Sequence, residues 1–370
     1  MANKRRARLS LHAVWALAAL SCGDSPSMDM PEPPFEPTAP ASYTAKVKNL
    51  LTGLPATDAE VAAVIADPQA LAGLVDGWMA LPQFNEKMQA FFQQAFQQTQ
   101  VSLLQFDDQL RLRVQNWNAN DRVRFLQSAT TSFARTAVGI ISTGQPFTTT
   151  LTTDTFYLNP PLMAAMAAND VYVFDDKDTF APGNFLTRFP GFKYTRQATT
   201  VIPYDQSMDA TNANFMTFYD PTPNTTGSAA CMTYPKTFTA STTNNNATSQ
   251  ALQNAIARLF GGRPGCGSTE SIFTDADYDN WRLVKIRKPS GAEQTIMPWE
   301  VVKMRNPATT ELVLNTPRIG FMSTLAFNAN WATNASNLHR GTMNQTLIVA
   351  LGQALTNPSG AAAPMMETGG

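Results

Sequence analysis

Histidine is nearly missing from this chain: 370 residues contain two, His12 and His339. His12 falls in a leader stretch described below, so the exported chain keeps His339 alone. That excludes histidine metal clusters, and the absence of any Cys-x-x-Cys-His run excludes attached c-type haem. Charge is also sparse, at 15% of residues and a formal net of −1. Removing Lys4, Arg5, Arg6 and Arg8 with the leader leaves 27 − 4 = 23 positive against 28 negative charges, or −5, which argues against a nucleic-acid partner. No Gly-x-Ser-x-Gly elbow occurs, and the glycine run from Gly261 to Gly267 lacks the Lys-Ser/Thr ending of a phosphate-binding loop. What is present is apolar: 44% hydrophobic and 10% aromatic residues, too many for a disordered chain and too interrupted for a membrane-spanning one. A soluble globular domain is expected.

Residues 1–21 read as an export signal, with four basic residues ahead of a twelve-residue apolar stretch, 9–20, too short to span a bilayer. The stretch ends in Ala19-Leu20-Ser21-Cys22-Gly23. Small residues before a cysteine resemble the lipobox of bacterial lipoproteins, in which the thiol receives a diacylglycerol, so Cys22 is the expected lipid-attachment site. The alternative is an ordinary signal peptide with an incidental cysteine. Residues 22–44 then form a tether, extended by Pro31, Pro33, Pro34, Pro37 and Pro40. The expected location is the bacterial cell envelope, lipid-anchored to a membrane, with an envelope protein as a further candidate partner. The other cysteines, Cys231 and Cys266, make an even pair in an oxidising compartment. A disulfide between them would close a 35-residue loop and contribute about 3 to 4 kcal/mol; two buried free thiols are the alternative.

The fold class expected is mainly α, with an N-terminal helical bundle (45–170), a loop-rich helical region with short strands (171–356) and a tail (357–370). Thr57-Asp58-Ala59-Glu60 has the spacing of a capping box, and Asp67-Pro68 ends that helix; a second covers 69–80. From Pro82, residues Phe84, Met88, Phe91, Phe92, Ala95 and Phe96 recur at steps of three or four against a glutamine-rich side, one amphipathic helix with a core-facing stripe. Asp121 is expected to open a helix that Gly144 and Pro146 end, and Asn159-Pro160-Pro161 to cap the next. Beyond it, Val171-Tyr172-Val173-Phe174 and residues 192–202 read as short strands, and 221–250 as a surface excursion. A helix over 249–260 stops at Gly261-Gly262, a strand covers 283–286, and a last helical segment starts at Thr316-Pro317 and resumes at Thr342.

Three constellations are candidates for chemistry. Asp275, Asp277 and Asp279 alternate as the carboxylates of a calcium loop do, because a hard cation needs several converging oxygens. Asn280 and Ile286 stand where that loop needs glycine and glutamate, so what remains is an irregular metal site or a solvated turn before Trp281. The cluster Asp175-Asp176-Lys177-Asp178 has the same standing. His339, set among Asn334, Ser336 and Asn337, reads as a loop-and-cap residue over a catalytic one. Paired carboxylates meeting in the fold remain open.

Several segments together resemble one family. They are Leu50-Leu51-Thr52-Gly53-Leu54-Pro55 with Asp67-Pro68 and the phenylalanine run, then residues 151–159, then Pro317-Arg318-Ile319-Gly320-Phe321 leading into 334–341. These are similar, in order across residues 45–356, to exported multi-module domain-of-unknown-function proteins of planctomycetes and myxobacteria. The resemblance implies helical, exported modules that often accompany cytochrome parts; here the haem motif is missing, and no catalytic residue or cofactor carries over. The reading is a cell-envelope lipoprotein acting as a non-catalytic scaffold or binding module. The alternatives are an envelope hydrolase using paired carboxylates on a polymeric or carbohydrate substrate, or the haem-less partner of a secreted redox protein.

Overall fold

The computed structural model describes residues 38–110, 114–171, 188–196, 202–220, 237–239, 245–262, 268–331, 343–344, 346–349 and 352–354. The chain is mainly α, with two small sheets. Four helices come first: α1 (Pro40–Thr52), α2 (Asp58–Ala66), α3 (Ala70–Met79) and α4 (Pro82–Ala95). Thr57 and Glu60 close the expected capping box reciprocally, and α2 stops before Asp67-Pro68. In α4, Phe84 and Phe92 are buried, with Phe96 at its C-cap, but Phe91 and Ala95 face solvent. The apolar stripe is narrower than the period alone suggests: α4 packs on α1 and α6, and of its phenylalanines Phe84 and Phe92 are covered while Phe91 is not.

After α5 (Leu103–Leu110) comes α6 (Ala119–Ser142), the axis of the molecule, with Phe125 and Phe133 fully enclosed. Its cap is Asn118, whose side chain accepts from the Asn120 amide at 2.9 Å, and not Asp121, which lies one turn in and is drawn inward. Strand β1 (Thr155–Leu158) leads to α7 (Pro160–Val171), capped by Asn159 Oδ1 accepting from the Leu162 amide. Val171 is helical, contrary to the strand expected there. The two preceding residues are fixed by the loop that follows much later: the Asp170 carboxylate accepts from the Asn315 and Thr316 amides, and Asn169 accepts from Arg318. No helix starts at Thr316-Pro317. The helical turn begins instead at Leu325–Asn330 behind the cap Thr324.

β1 pairs antiparallel with β5 (Arg282–Arg287), which pairs parallel with β6 (Glu311–Val313). A second sheet sets β2 (Lys193–Arg196) between β3 (Thr217–Asp220) and β4 (Thr237–Thr239). The helix expected from residue 249 starts earlier, as α8 (Asn245–Leu259), with Thr248 in its first turn already buried. The first sheet takes strands from both sides of residues 170–171, and one apolar core runs from Phe92 to Ala329.

That core is joined by aromatic rings. Trp117 stacks face to face on Phe260 at 3.7 Å, and Phe125 meets both edge-on. Phe96 packs on Phe133 and Phe321, tying α4, α6 and the 318–324 segment together. Gly320 is obligatory there: at φ +62°, a Cβ would stand 2.2 Å from the Leu151 carbonyl oxygen. Among the described residues no helix is long and apolar enough to cross a membrane.

Candidate functional site

Beside the N-terminal turns of α6 runs an open groove of about 690 Å³, lined on one wall by Asn118, Asn120, Asp121, Arg124 and Gln127 and on the other by Glu270, Ser271, Phe273, Asp275 and Tyr278. The second wall is held in place by the end of α8. Gly261, at φ +70°, lets the chain turn so tightly that a Cβ would meet the Thr269 carbonyl at 2.3 Å. Asn118 then donates to that same carbonyl, while the Ser271 hydroxyl and the Ile272 amide donate to Leu259 O.

At the floor lies a buried pair. The Tyr278 hydroxyl donates to Asp121 Oδ1 at 2.8 Å, and both residues are almost fully covered. Burial pushes the Asp121 carboxyl above the ordinary carboxylate range, and hydrogen bonds from Tyr278 and Ser271 only partly offset this. Burial, with the neighbouring Asp121 charge, likewise pushes the Tyr278 phenol up. Over this pair Arg124 lies across the Tyr278 ring at 5.4 Å and pairs with Asp275. Asn159, fully buried, donates to Ser128 Oγ and to the Tyr278 carbonyl, so the floor is locked to α6 and α7 together.

The three alternating aspartates fall on one short helix, Asp275–Asp279. A loop points every second oxygen inward, whereas a helix turns successive side chains by about 100° and scatters them. Asp277 turns into the protein: its carboxylate accepts from the Thr274 amide in a capping box and takes two bonds of 2.8 Å from Arg305. The Arg305 and Thr274 bonds outweigh burial and hold its carboxyl below the ordinary range. Asp275 goes to Arg124, and Asp279 is exposed. Among the described residues no three His, Cys, Asp or Glu side chains are grouped to hold a metal ion.

Cys22, Cys231, Cys266, Asp175, Asp176, Asp178 and His339 lie outside the described residues. Of the residues that line the groove, Asp275 is a candidate from the sequence, whereas Asp121, Arg124, Glu270 and Tyr278 are not. Asp121 was read only as a helix start, and nothing in local spacing links it to Tyr278, 157 positions away. Compared with models of known protein families, with curated proteins and with solved structures, the chain matches none.

Proposed function

We propose that the folded part of this chain is a binding module, held at a cell-envelope membrane by a lipid on Cys22, and that it takes its ligand in the groove beside α6. The observation that carries this is the state of the groove's rim. Asn120, Gln127 and Glu270 present amide and carboxylate groups that make no side-chain hydrogen bond among the described residues, above a floor whose polar groups are already paired. A roomy site with uncommitted donors and acceptors at its edge and a fixed base suits a polar, hydroxyl- and amide-rich polymer. The resemblance of its segments to exported helical modules implies the same location.

The experiment is co-sedimentation of the purified chain with isolated peptidoglycan and with envelope polysaccharide. Binding to one of them, weakened about tenfold or more by Gln127→Ala with Glu270→Ala, is the expected result. Binding indifferent to those substitutions, or no binding to either polymer, would overturn the assignment. A hydrolase is the second reading, favoured by one specific feature: Asp121, whose carboxyl burial pushes above the ordinary range, shares its groove with two further carboxylates, Glu270 and Asp275. Release of soluble fragments from the same polymers separates it from simple binding.

A further inference from the structure

Five large apolar side chains from three stretches of chain stand uncovered on one face. Phe91 on α4, Phe147 and Leu151 at the two ends of a 3-10 turn, and Ile319 and Met322 on either side of Gly320 and Phe321 are between 37% and 56% exposed. They are neighbours because the core beneath makes them so. Phe92 meets Phe91 at 5.1 Å and Phe147 at 5.7 Å, Phe96 meets Phe147 and Phe321, and Gly320 presses on Leu151. With side chains of roughly 150 to 250 Å² each about half uncovered, the face presents about 400 to 500 Å², the size at which an apolar patch commonly has a partner.

We propose that this face rests on the lipid surface to which the chain is tethered. The inference rests on the reading of Cys22 as the anchored residue. From Cys22 to Thr38 there are 38 − 22 = 16 residues, which reach at most about 55 Å. Helix α1 adds about 20 Å and packs on α4, the helix that carries Phe91. The face therefore stays within about 75 Å of the bilayer, at an effective concentration on the order of millimolar, where a weak apolar contact is enough. A second copy fits less well, because a stable interface buries about 800 Å² per partner. A diacyl lipid already secures attachment, so what the face adds is orientation. Phe133, which underlies it, is 12 residues along α6 from Asp121, about 18 Å of helix. The groove is left clear while the face is covered.

The test supplies the tether artificially. The exported chain carrying Cys22→Ala and an N-terminal hexahistidine tag is held on phosphatidylethanolamine–phosphatidylglycerol vesicles through a nickel-chelating lipid. Methionine oxidation by peroxide is then read by mass spectrometry, with Met79, exposed on α3 and outside the face, as reference. The expected result is a Met322-to-Met79 oxidation ratio at least fivefold lower on vesicles than off them, restored to within twofold by Phe147→Ser with Ile319→Ser. An unchanged ratio on vesicles overturns the proposal. So does protection of Met322 already present without vesicles, which would place a second copy or other residues of this chain on the face. Because the tag replaces the lipid, neither outcome depends on acylation of Cys22, whose failure would be read separately as a soluble wild-type chain in fractionated envelopes.

Discussion

The N-terminal helices and the body behind them are held by different chemistry. Around α1 to α3 the buried side chains are Thr44, Lys48, Thr52, Val64 and Trp78, and their centre is a charge pair. Lys48 donates to both oxygens of Glu60 at 2.9 and 2.8 Å, Trp78 Nε1 donates to the same carboxylate at 2.8 Å, and the Thr57 amide completes the shell. Behind α4 the body packs ring on ring, with Trp117, Phe125, Phe133, Phe260 and Phe321 almost wholly enclosed. The difference teaches where each region is vulnerable. A short helical unit that buries little apolar area leans on a fully bonded ion pair and inherits its dependence on pH. An aromatic core inherits sensitivity to lost volume.

The sharpest way to break the comparison is to remove one ring. Trp117→Ala strips a side chain that is 2% exposed and stacked at 3.7 Å on Phe260, so a loss of about 3 to 5 kcal/mol is expected in chemical denaturation. The loss should be the same at pH 7 and pH 4. A value below about 1 kcal/mol would mean that the body does not depend on its ring stack.

Glu60→Gln probes the other region and should cost about 3 kcal/mol at neutral pH, since it leaves the Lys48 charge buried beside a neutral amide. Burial pushes the Glu60 carboxyl up, but the bonds from Lys48, Thr57 and Trp78 outweigh it and bring it from 4.5 to about 2. The folded carboxyl thus binds its proton less readily than the unfolded one. Its stabilisation is complete above about pH 4.5 and is lost as pH falls towards 2. The gap between wild type and variant, measured by denaturation in steps from pH 6 to pH 2.5, should narrow over that window. A constant gap would remove the ion pair from the account.

How much of this was legible beforehand depends on the range of the interaction. The capping box at Thr57 and Glu60, the stop at Asp67-Pro68, the Asn159 cap and the Gly261 stop are all written within four residues, and each lies where the sequence predicts. Phe91 shows the limit of periodicity, which marks an apolar side without saying how much of it a neighbour covers. Thr316-Pro317 and Val171 show a second limit. Both stretches are joined through Asp170 and Asn169 to partners about 145 positions away, which local preferences do not record. The groove was illegible for the same reason: its floor joins Asp121 to Tyr278, and no local pattern records that meeting.

Asp121 sharpens the comparison at its finest point, as a buried carboxylate in the aromatic body. Glu60 has a cation within hydrogen-bond distance and is pulled down; Asp121 has a phenol and a hydroxyl, and burial pushes it up. Asp121→Asn keeps an oxygen for the Tyr278 hydroxyl and removes the charge, so the change in stability should be under about 1 kcal/mol. Its sign is fixed by linkage. A carboxyl raised on folding stabilises the protein below its unfolded value and loses that contribution as pH rises through the folded one. The variant should therefore match wild type in acid and gain on it towards neutrality, the reverse of Glu60→Gln. Measured in the groove, the same variant also divides the two functional readings. A binding site whose rim meets the ligand keeps its affinity within about twofold, because the Asp121 side chain is already committed to Tyr278. A hydrolase that uses this carboxyl as its acid loses turnover by about 100-fold or more while remaining folded.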